Sequence, residues 1–301
     1  LLRLQGEVRW GKVFDDGKYY CSMQFLDKDE HQDSVLKGFL CTNDEYIQQL
    51  INNLPPAEKE ASKKIEAFFK DDVKGFVENL IALEEAIKEK SMPEAAIFER
   101  LTNISDEIVK KGDELEGEVK KGMLTKKIKE LFRFLTGHWI CKSKMMEMAF
   151  KKPRGYPGDY ILIELIYDNQ PISKDIGLYY DKWFLDNVYA IAIRKRKEKM
   201  TELLRKTIIE TAISQIDILN LAAGSCREIN ELFTNPEIMG LNKKISFTCV
   251  DFDKEALEFS KNRLRPPENT RLAFLNENIV NLIKNEKWRE RLSKQHLIYS
   301  I

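Results

Sequence analysis

The stretch Ile216-Asp217-Ile218-Leu219-Asn220-Leu221-Ala222-Ala223-Gly224-Ser225-Cys226-Arg227-Glu228 decides how this chain is read. Ile216 to Leu221 is a short, mostly apolar run of strand length. Ala222 to Ser225 is a tight turn of small residues, and a helix is expected from there through Phe233. A strand feeding through such a turn into a helix leaves backbone N–H groups and the helix N-terminus on the ligand side of a sheet. Small side chains let a bulky group come close to that backbone. The residues so placed are Asn220, Ala222, Ala223, Gly224, Ser225 and Cys226.

The residues that follow repeat the grammar. Ile245 to Val250 is a second strand, ended by Asp251, and Asp253 is expected to cap a helix running to about Leu264. Leu272 to Leu275 is a third strand, and His296 to Ile301 begins a fourth. Strands alternating with helices predict an α/β fold, a parallel Rossmann-like sheet in right-handed βαβ units. In that arrangement Asp251 lies where an adenosine ribose would sit, and a carboxylate can accept from both ribose hydroxyls. The full GxGxxG fingerprint is absent, and alanines in place of glycines disfavour a nicotinamide or flavin dinucleotide.

Upstream the pattern is helical from Asn43 to Phe150. Ile65, Phe68, Phe69, Val73, Phe76, Val77 and Leu80 recur at steps of three and four, an apolar stripe. Ser91-Met92-Pro93-Glu94 predicts a helix restart with Ser91 as N-cap and Pro93 in the first turn. Gly112, Gly117 and Gly122 predict a solvent-exposed connection, and one helix is expected from about Leu124 to Phe150, its Met145, Met146 and Met148 filling core. The stretch Lys152-Pro153-Arg154-Gly155-Tyr156-Pro157-Gly158-Asp159-Tyr160 interrupts the helices as a specified loop. Helix resumes from Ile161 to Tyr167 and from about Asp175 to Ile209, with the charge run 194–199 as a solvated face. Residues 1–40 carry alternating runs around an Asp16-Gly17 turn, and 35–40 is long enough for a short helix or lid. The expected division is a β segment over 1–42, a helical region or linker over 43–121, and an α/β domain over 122–301. Within that last domain, 122–210 forms a helical lid and 211–301 the core.

The chain has 301 residues, 43% hydrophobic and 33% charged, with Lys+Arg 49 balancing Asp+Glu 49. A balanced charge removes the simplest argument for nucleic acid as a partner. The five cysteines are scattered and never form CxxC, and three distant histidines make no metal-ligand pattern. This predicts reduced thiols, no metal and a cytoplasmic location. No apolar run reaches transmembrane length. Both ends look like the middles of strands, so the chain is expected to be cut at each.

Residues 216–301 resemble the first half of a class I S-adenosylmethionine-dependent methyltransferase. Leu219-Asn220-Leu221-Ala222-Ala223-Gly224-Ser225-Cys226-Arg227-Glu228-Ile229 departs from the usual acidic-x-Gly-x-Gly-x-Gly wording in the manner of one subgroup. That subgroup is typified by the bacterial enzymes that make the methyl ester of 3-hydroxypalmitic acid. Asp251-Phe252-Asp253-Lys254-Glu255-Ala256-Leu257 resembles it too, as does Arg154-Gly155-Tyr156-Pro157-Gly158-Asp159-Tyr160 followed by the helical stretch Tyr179 to Arg196. The resemblance implies S-adenosylmethionine as cofactor, with the turn from Asn220 to Cys226 on its methionine moiety and Asp251, beside Phe252, on its ribose. Asn278, with Asn276 the alternative, would meet the adenine edge. Ala222 and Cys226 stand where the general motif has glycine. A complete sheet of this kind has seven strands, so a chain ending in the fourth is expected to leave that strand on a bare edge and to be inactive as it stands. Within residues 6–40, Gly6-Glu7-Val8-Arg9-Trp10 and Tyr19-Tyr20-Cys21-Ser22-Met23-Gln24-Phe25-Leu26 resemble the closing strands of a PilZ domain, whose usual ligand is cyclic di-GMP, although the ligand-binding motifs of such domains are absent here.

For an acyl substrate the implied chemistry is methyl transfer to a fatty-acid carboxylate, which is already ionised and needs no general base. An Arg can place that carboxylate with two parallel donors. Arg154 and Arg227 are the candidates, with Tyr156, Asp159 and Tyr160 lining or ordering the pocket. The structural alternatives are equally definite. Arg154 would tie its loop to Asp159 or Glu164, Arg227 would pair with Glu228 or Glu231, and Asp159 would cap the helix at Tyr160. Two rival functions stay open: methylation of another small acid or alcohol, and a non-catalytic regulatory protein that binds an adenosine ligand.

Overall fold

The computed structural model describes residues 5–13, 19–26, 47–48, 51–52, 61–119, 123–156, 158–284, 286, 288 and 294–301. The Asp16-Gly17 turn, the segment 35–40, Gly122 and Pro157 lie outside the described residues. In chain order the elements begin with strands β1 (Gln5–Val13) and β2 (Tyr19–Leu26), then α1 (Ser62–Ala67), a π-helical turn (Phe68–Val73) and α2 (Lys74–Glu89). Next come α3 (Glu94–Glu118), α4 (Met123–Ile140), α5 (Lys144–Lys151), α6 (Tyr160–Asp168), α7 (Ile176–Asp186) and α8 (Val188–Glu210). The alternating part is β3 (Gln215–Leu221), α9 (Arg227–Phe233), α10 (Pro236–Met239), β4 (Lys244–Asp251), α11 (Lys254–Arg263), β5 (Thr270–Asn276), α12 (Ile279–Lys284) and β6 (Leu297–Tyr299). Two compact units result, residues 1–151 with 171–184 and residues 152–170 with 185–301.

In the first unit β1 and β2 pair antiparallel, with the register irregular between Val8 and Trp10. The predicted stripe is buried in one core with Ile97, Leu101, Ile108 and Leu115 of α3 and Leu124, Ile128, Leu131, Leu135 and Trp139 of α4. Helix α4 contributes that face to this core and so packs with the residues before it, within the first compact unit. Three local expectations need correction. Pro93, in an extended conformation, is itself the N-cap of α3, and no side chain caps it; proline disfavours helix at the residue before it, which moves the start past Ser91 and Met92. Helix α3 continues through Gly112 and Gly117. Leu101, Ile108 and Leu115, seven apart, stay on its buried face, and that burial outweighs a cost of about 1 kcal/mol per glycine.

The single helix expected over 124–150 is two, broken at Cys141–Ser143. Ser143 Oγ accepts from the Met146 N–H at 3.0 Å, starting α5, and donates to Asp181 Oδ1 at 2.5 Å. Asp181 is wholly buried, and its Oδ2 accepts the N–H groups of Ile172 and Ser173 at 2.9 and 2.8 Å. Gly177 of α7 passes so close to the break that a Cβ there would lie 2.2 Å from the Lys142 carbonyl oxygen. Only Met145 of the methionine cluster is fully buried.

In the second unit, among the described residues, four parallel strands run in the order β5-β4-β3-β6. This is the Rossmann-like α/β arrangement expected from the alternation, with β3 central and the order reversing between β3 and β6. One face carries Ile216, Ile218, Ile245, Phe247 and Cys249 against α8, α9, α10 and α11; the other carries Leu219 and Val250 against Leu282 of α12. Strands covered on both faces read as near-continuous apolar runs, which is why 216–221 and 245–250 were legible. The helix expected from 175 to 209 is interrupted, because Asn187 Oδ1 accepts the N–H groups of Tyr189 and Ala190 at 2.9 Å each and starts α8 afresh. The charge run is a solvated face except at Lys197, which is buried, pairs with Glu231 at 2.5 Å and lies over the Tyr167 ring.

The approach at Gly177 gives a direct test of the first unit. Gly177→Ala places a methyl group against backbone that cannot rotate away, and overpacking of this kind typically costs about 1–3 kcal/mol. Urea unfolding should show a lowered midpoint at unchanged slope, and a midpoint equal to wild type would show that the contact is not made.

Candidate functional site

The turn after β3 holds three residues in the left-handed region at alternate positions: Ala222 (φ 52°), Gly224 (φ 52°) and Cys226 (φ 49°). These are the positions where the general motif has glycine. Ala and Cys therefore keep the glycine conformation at a cost of roughly 1–2 kcal/mol each. The rest of the structure compensates through bonds to the turn. Ala223 N–H donates to the Val250 carbonyl at 2.9 Å, and Gly224 N–H donates to Asp251 Oδ2 at 2.8 Å. The Gly224 carbonyl accepts from Ser260 Oγ at 2.9 Å, and the Ser225 carbonyl from Arg263 Nη2 at 2.5 Å. Ala222 is exposed, and the Gly224 Cα faces open space; Ala223, Ser225 and Cys226 are buried.

Asp251, 6% exposed, is the hinge of the arrangement. While Oδ2 holds the Gly224 turn, Oδ1 accepts the Asp253 N–H at 2.8 Å. A carboxylate has about four acceptor sites, so two backbone donors leave capacity for hydroxyls. Phe252 beside it is 58% exposed. Asn276 Nδ2 donates to the carbonyls of Asp251 and Phe252, tying the end of β5 to the end of β4, while Asn278 is exposed and its Oδ1 caps α12 through the Val280 N–H.

The loop before α6 packs against the residues just beyond β4. Arg154 grips Asp253 with a fork, Nε to Oδ2 and Nη2 to Oδ1, both 2.7 Å, and its Nη1 donates to Glu255 Oε2 at 2.7 Å. Tyr156 donates its hydroxyl to Asp253 Oδ2 at 2.6 Å and sets its ring edge-on to Phe252 at 5.0 Å. The Tyr160 ring lies 5.0 Å beneath the Arg154 guanidinium. Asp253 also caps α11 as expected, accepting from Glu255 and Ala256 N–H groups. Burial alone would raise its carboxyl, but Arg154 and Tyr156 outweigh that and hold it at about 2. Tyr156 is pushed up by burial and by the neighbouring Asp253 carboxylate. The loop's tie is thus to Asp253 and Glu255, not to Asp159 or Glu164. Asp159 caps α6, with Oδ1 accepting the Ile161 N–H at 2.9 Å.

Residues 143–256 match a family model described as "Putative methyltransferase". No curated protein and no solved structure matches the chain. The matched span takes in the Arg154 loop, α6, α8, the left-handed turn and Asp251, and it ends in the first turn of α11. Among the described residues there is no cluster of His, Cys, Asp and Glu able to hold a metal ion, and no helix long and apolar enough to cross a membrane.

Arg227 stands apart from the Arg154 group. It pairs with Glu164 at 2.8 Å, Asp168 at 2.9 Å and Glu231 at 3.5 Å. The pairing with Glu228 does not form, because Glu228 is turned inward beneath α9. There Asn220 Nδ2 and the Tyr299 hydroxyl donate to its Oε1 at 3.0 and 2.8 Å. Asn220 is wholly buried, with Oδ1 lacking a partner among the described residues, and it lies opposite Tyr299 in the β3–β6 register. Sequence reasoning missed Arg263 and Tyr299, and it gave Glu164 and Glu228 other partners than those they have. The one available signal was Glu228 itself, an acid on a short helix otherwise marked for burial by Ile229, Leu232 and Phe233.

Burial raises the Glu228 carboxyl to about 7 against the donors that favour its charge. The folded state therefore binds the proton more tightly than the unfolded chain. Stability contributed by protonated Glu228 is complete below the unfolded value of about 4.5 and is lost as pH rises towards 7. The shift corresponds to roughly 3 kcal/mol. Glu228→Gln keeps an acceptor for Asn220 and Tyr299 without the charge. It should match wild type near pH 4.5 and exceed it at pH 8 by an amount of that order, as read by denaturant unfolding at the two pH values. A gain that is the same at both pH values would refute a buried, titrating Glu228.

Proposed function

We propose that the second unit binds S-adenosylmethionine at the C-terminal edge of its sheet and transfers the methyl group to a carboxylate. A 3-hydroxy fatty acid is the acceptor implied by the likeness to the 3-hydroxypalmitate methyl ester enzymes. The observation that carries the reading is the turn held by Asp251. Alternate left-handed residues with open space at Gly224, an acid with acceptor capacity to spare and an exposed Phe252 ring together suit a nucleoside carrying an amino-acid tail. The family match over 143–256 supports methyl transfer as the class of reaction.

When bound, S-adenosylmethionine supplies a methyl group on a sulfonium for in-line displacement. The chain's share is alignment and exclusion of water. Asp251 accepts from ribose hydroxyls, Phe252 offers a face to the base, and Asn278 stands by the end of β5 for its edge. Ala222 and Gly224 present backbone to the methionine portion. Arg154, fixed by Asp253 and Tyr160, directs the acceptor carboxylate. Arg227 and Asp159 act in this reading by holding α6 and the loop in place.

Calorimetric titration with S-adenosylmethionine or its demethylated product should show saturable binding. Stacking of a base on an aromatic ring is worth about 1–3 kcal/mol. Phe252→Ala should weaken binding about tenfold while leaving the melting temperature unchanged, since the ring is largely in solvent. Absence of saturable binding would overturn the proposal. Binding of S-adenosylmethionine with no binding of any 3-hydroxy acid would favour the regulatory reading.

A further inference from the structure

The guanidinium of Arg154 is held unevenly. One edge is forked onto Asp253, whose side chain is 6% exposed, and one face rests on Tyr160. Its Nη1 is met by Glu255, whose side chain is 69% exposed while that of Arg154 is 18% exposed. A charge-assisted fork onto a buried carboxylate is strong and geometrically specific, whereas an ion pair to an exposed side chain contributes little. The two carboxylates therefore do different things: Asp253 fixes where the guanidinium sits, and Glu255 covers what it still has to offer.

We propose that Glu255 is an internal placeholder, a carboxylate that occupies the outward-facing donors of Arg154 until an anionic ligand displaces it. The inference rests on the reading of this edge as a methyl-transfer site and adds to it a determinant of the acceptor class. A carboxylate arriving at Nη1 replaces the Glu255 oxygen with one of its own, so Nη1 keeps a charged partner in either state. A neutral alcohol or ester cannot make that exchange on equal terms, because the guanidinium would give up a charged partner for an uncharged one. Lys254, next to Glu255, points its charge elsewhere, 3.6 Å from Glu258, so Glu255 is the charge most directly in competition with the ligand.

The test uses a variant whose effects on stability and on binding run in opposite directions. Glu255 lies in the first turn of α11, where a negative charge is favourable, so Glu255→Gln should lower the melting temperature slightly. The same substitution removes a competing like charge, and the affinity for 3-hydroxydecanoate, measured by titration calorimetry, should rise about fivefold. Methyl 3-hydroxydecanoate, identical but uncharged, should show no such gain. If Glu255 is only a structural partner of Arg154, affinity for the acid falls or stays level as stability falls, and that outcome overturns the proposal. An equal gain for acid and ester overturns it as well, since the effect would then be apolar. Titration of the same proteins with S-adenosylmethionine separates the two levels. Wild-type protein that fails to bind it sinks the methyl-transfer reading; wild-type protein that binds it, paired with an unchanged acid affinity in Glu255→Gln, sinks the placeholder alone.

Discussion

Two neighbouring carboxylates organise the upper edge of the sheet, and each does so by collecting donors from distant parts of the chain. Asp251 takes the Gly224 N–H with one oxygen and the Asp253 N–H with the other. Asp253 takes the Arg154 fork, the Tyr156 hydroxyl and the first N–H groups of α11. The left-handed turn, the exposed ring of Phe252 and the position of the 152–160 loop all follow from these bonds. Remove Asp251 and the strained turn loses its anchor, while the loop keeps its own. Remove Asp253 and both the loop and the helix start are freed. The two acids are thus unequal as probes of function, because an Asp253 variant disturbs fold and site together.

A second knot of charge lies behind the turn. Glu164, buried on α6, receives Arg227 and Arg263, and Arg263 also holds the Ser225 carbonyl. Buried charges are costly unless paired and hydrogen bonded, and loss of one partner from such a group typically costs about 3–5 kcal/mol. The arrangement makes α6 a brace for the turn, and it accounts for the carboxylate partners that Arg227 finds on α6 and α9.

What the sequence made legible was what local chemistry dictates. Apolar runs bounded by turns located β3 and β4, and Asp253 and Asp159 were placed as caps because a cap bonds residues two or three positions away. The small-residue turn was readable from composition, although the left-handed conformation of Ala222 and Cys226 runs against their own preference and is imposed by the bonds around them. The helix breaks at Cys141–Ser143 and at Asn187 were not legible, since the apolar period runs through both and the first depends on Asp181, 38 residues away from Ser143. The partners of Arg154 were equally hidden, being 99 and 101 residues away. Charges in a sequence advertise that a partner exists, but pairing across such spans is decided by the topology of the sheet.

Strand β6 is short, yet it closes the compartment that Glu228 occupies. Tyr299 reaches Glu228 only when β6 has paired with β3, and the two residues are 71 apart in the chain. In the folded chain the carboxyl lies beneath α9 against Asn220 and Tyr299, away from water, and burial holds its proton up to about neutrality. Folding is therefore accompanied by proton uptake between about 4.5 and that value. Mild acid thus favours the fold that carries this strand, through a group far in sequence from the strand itself.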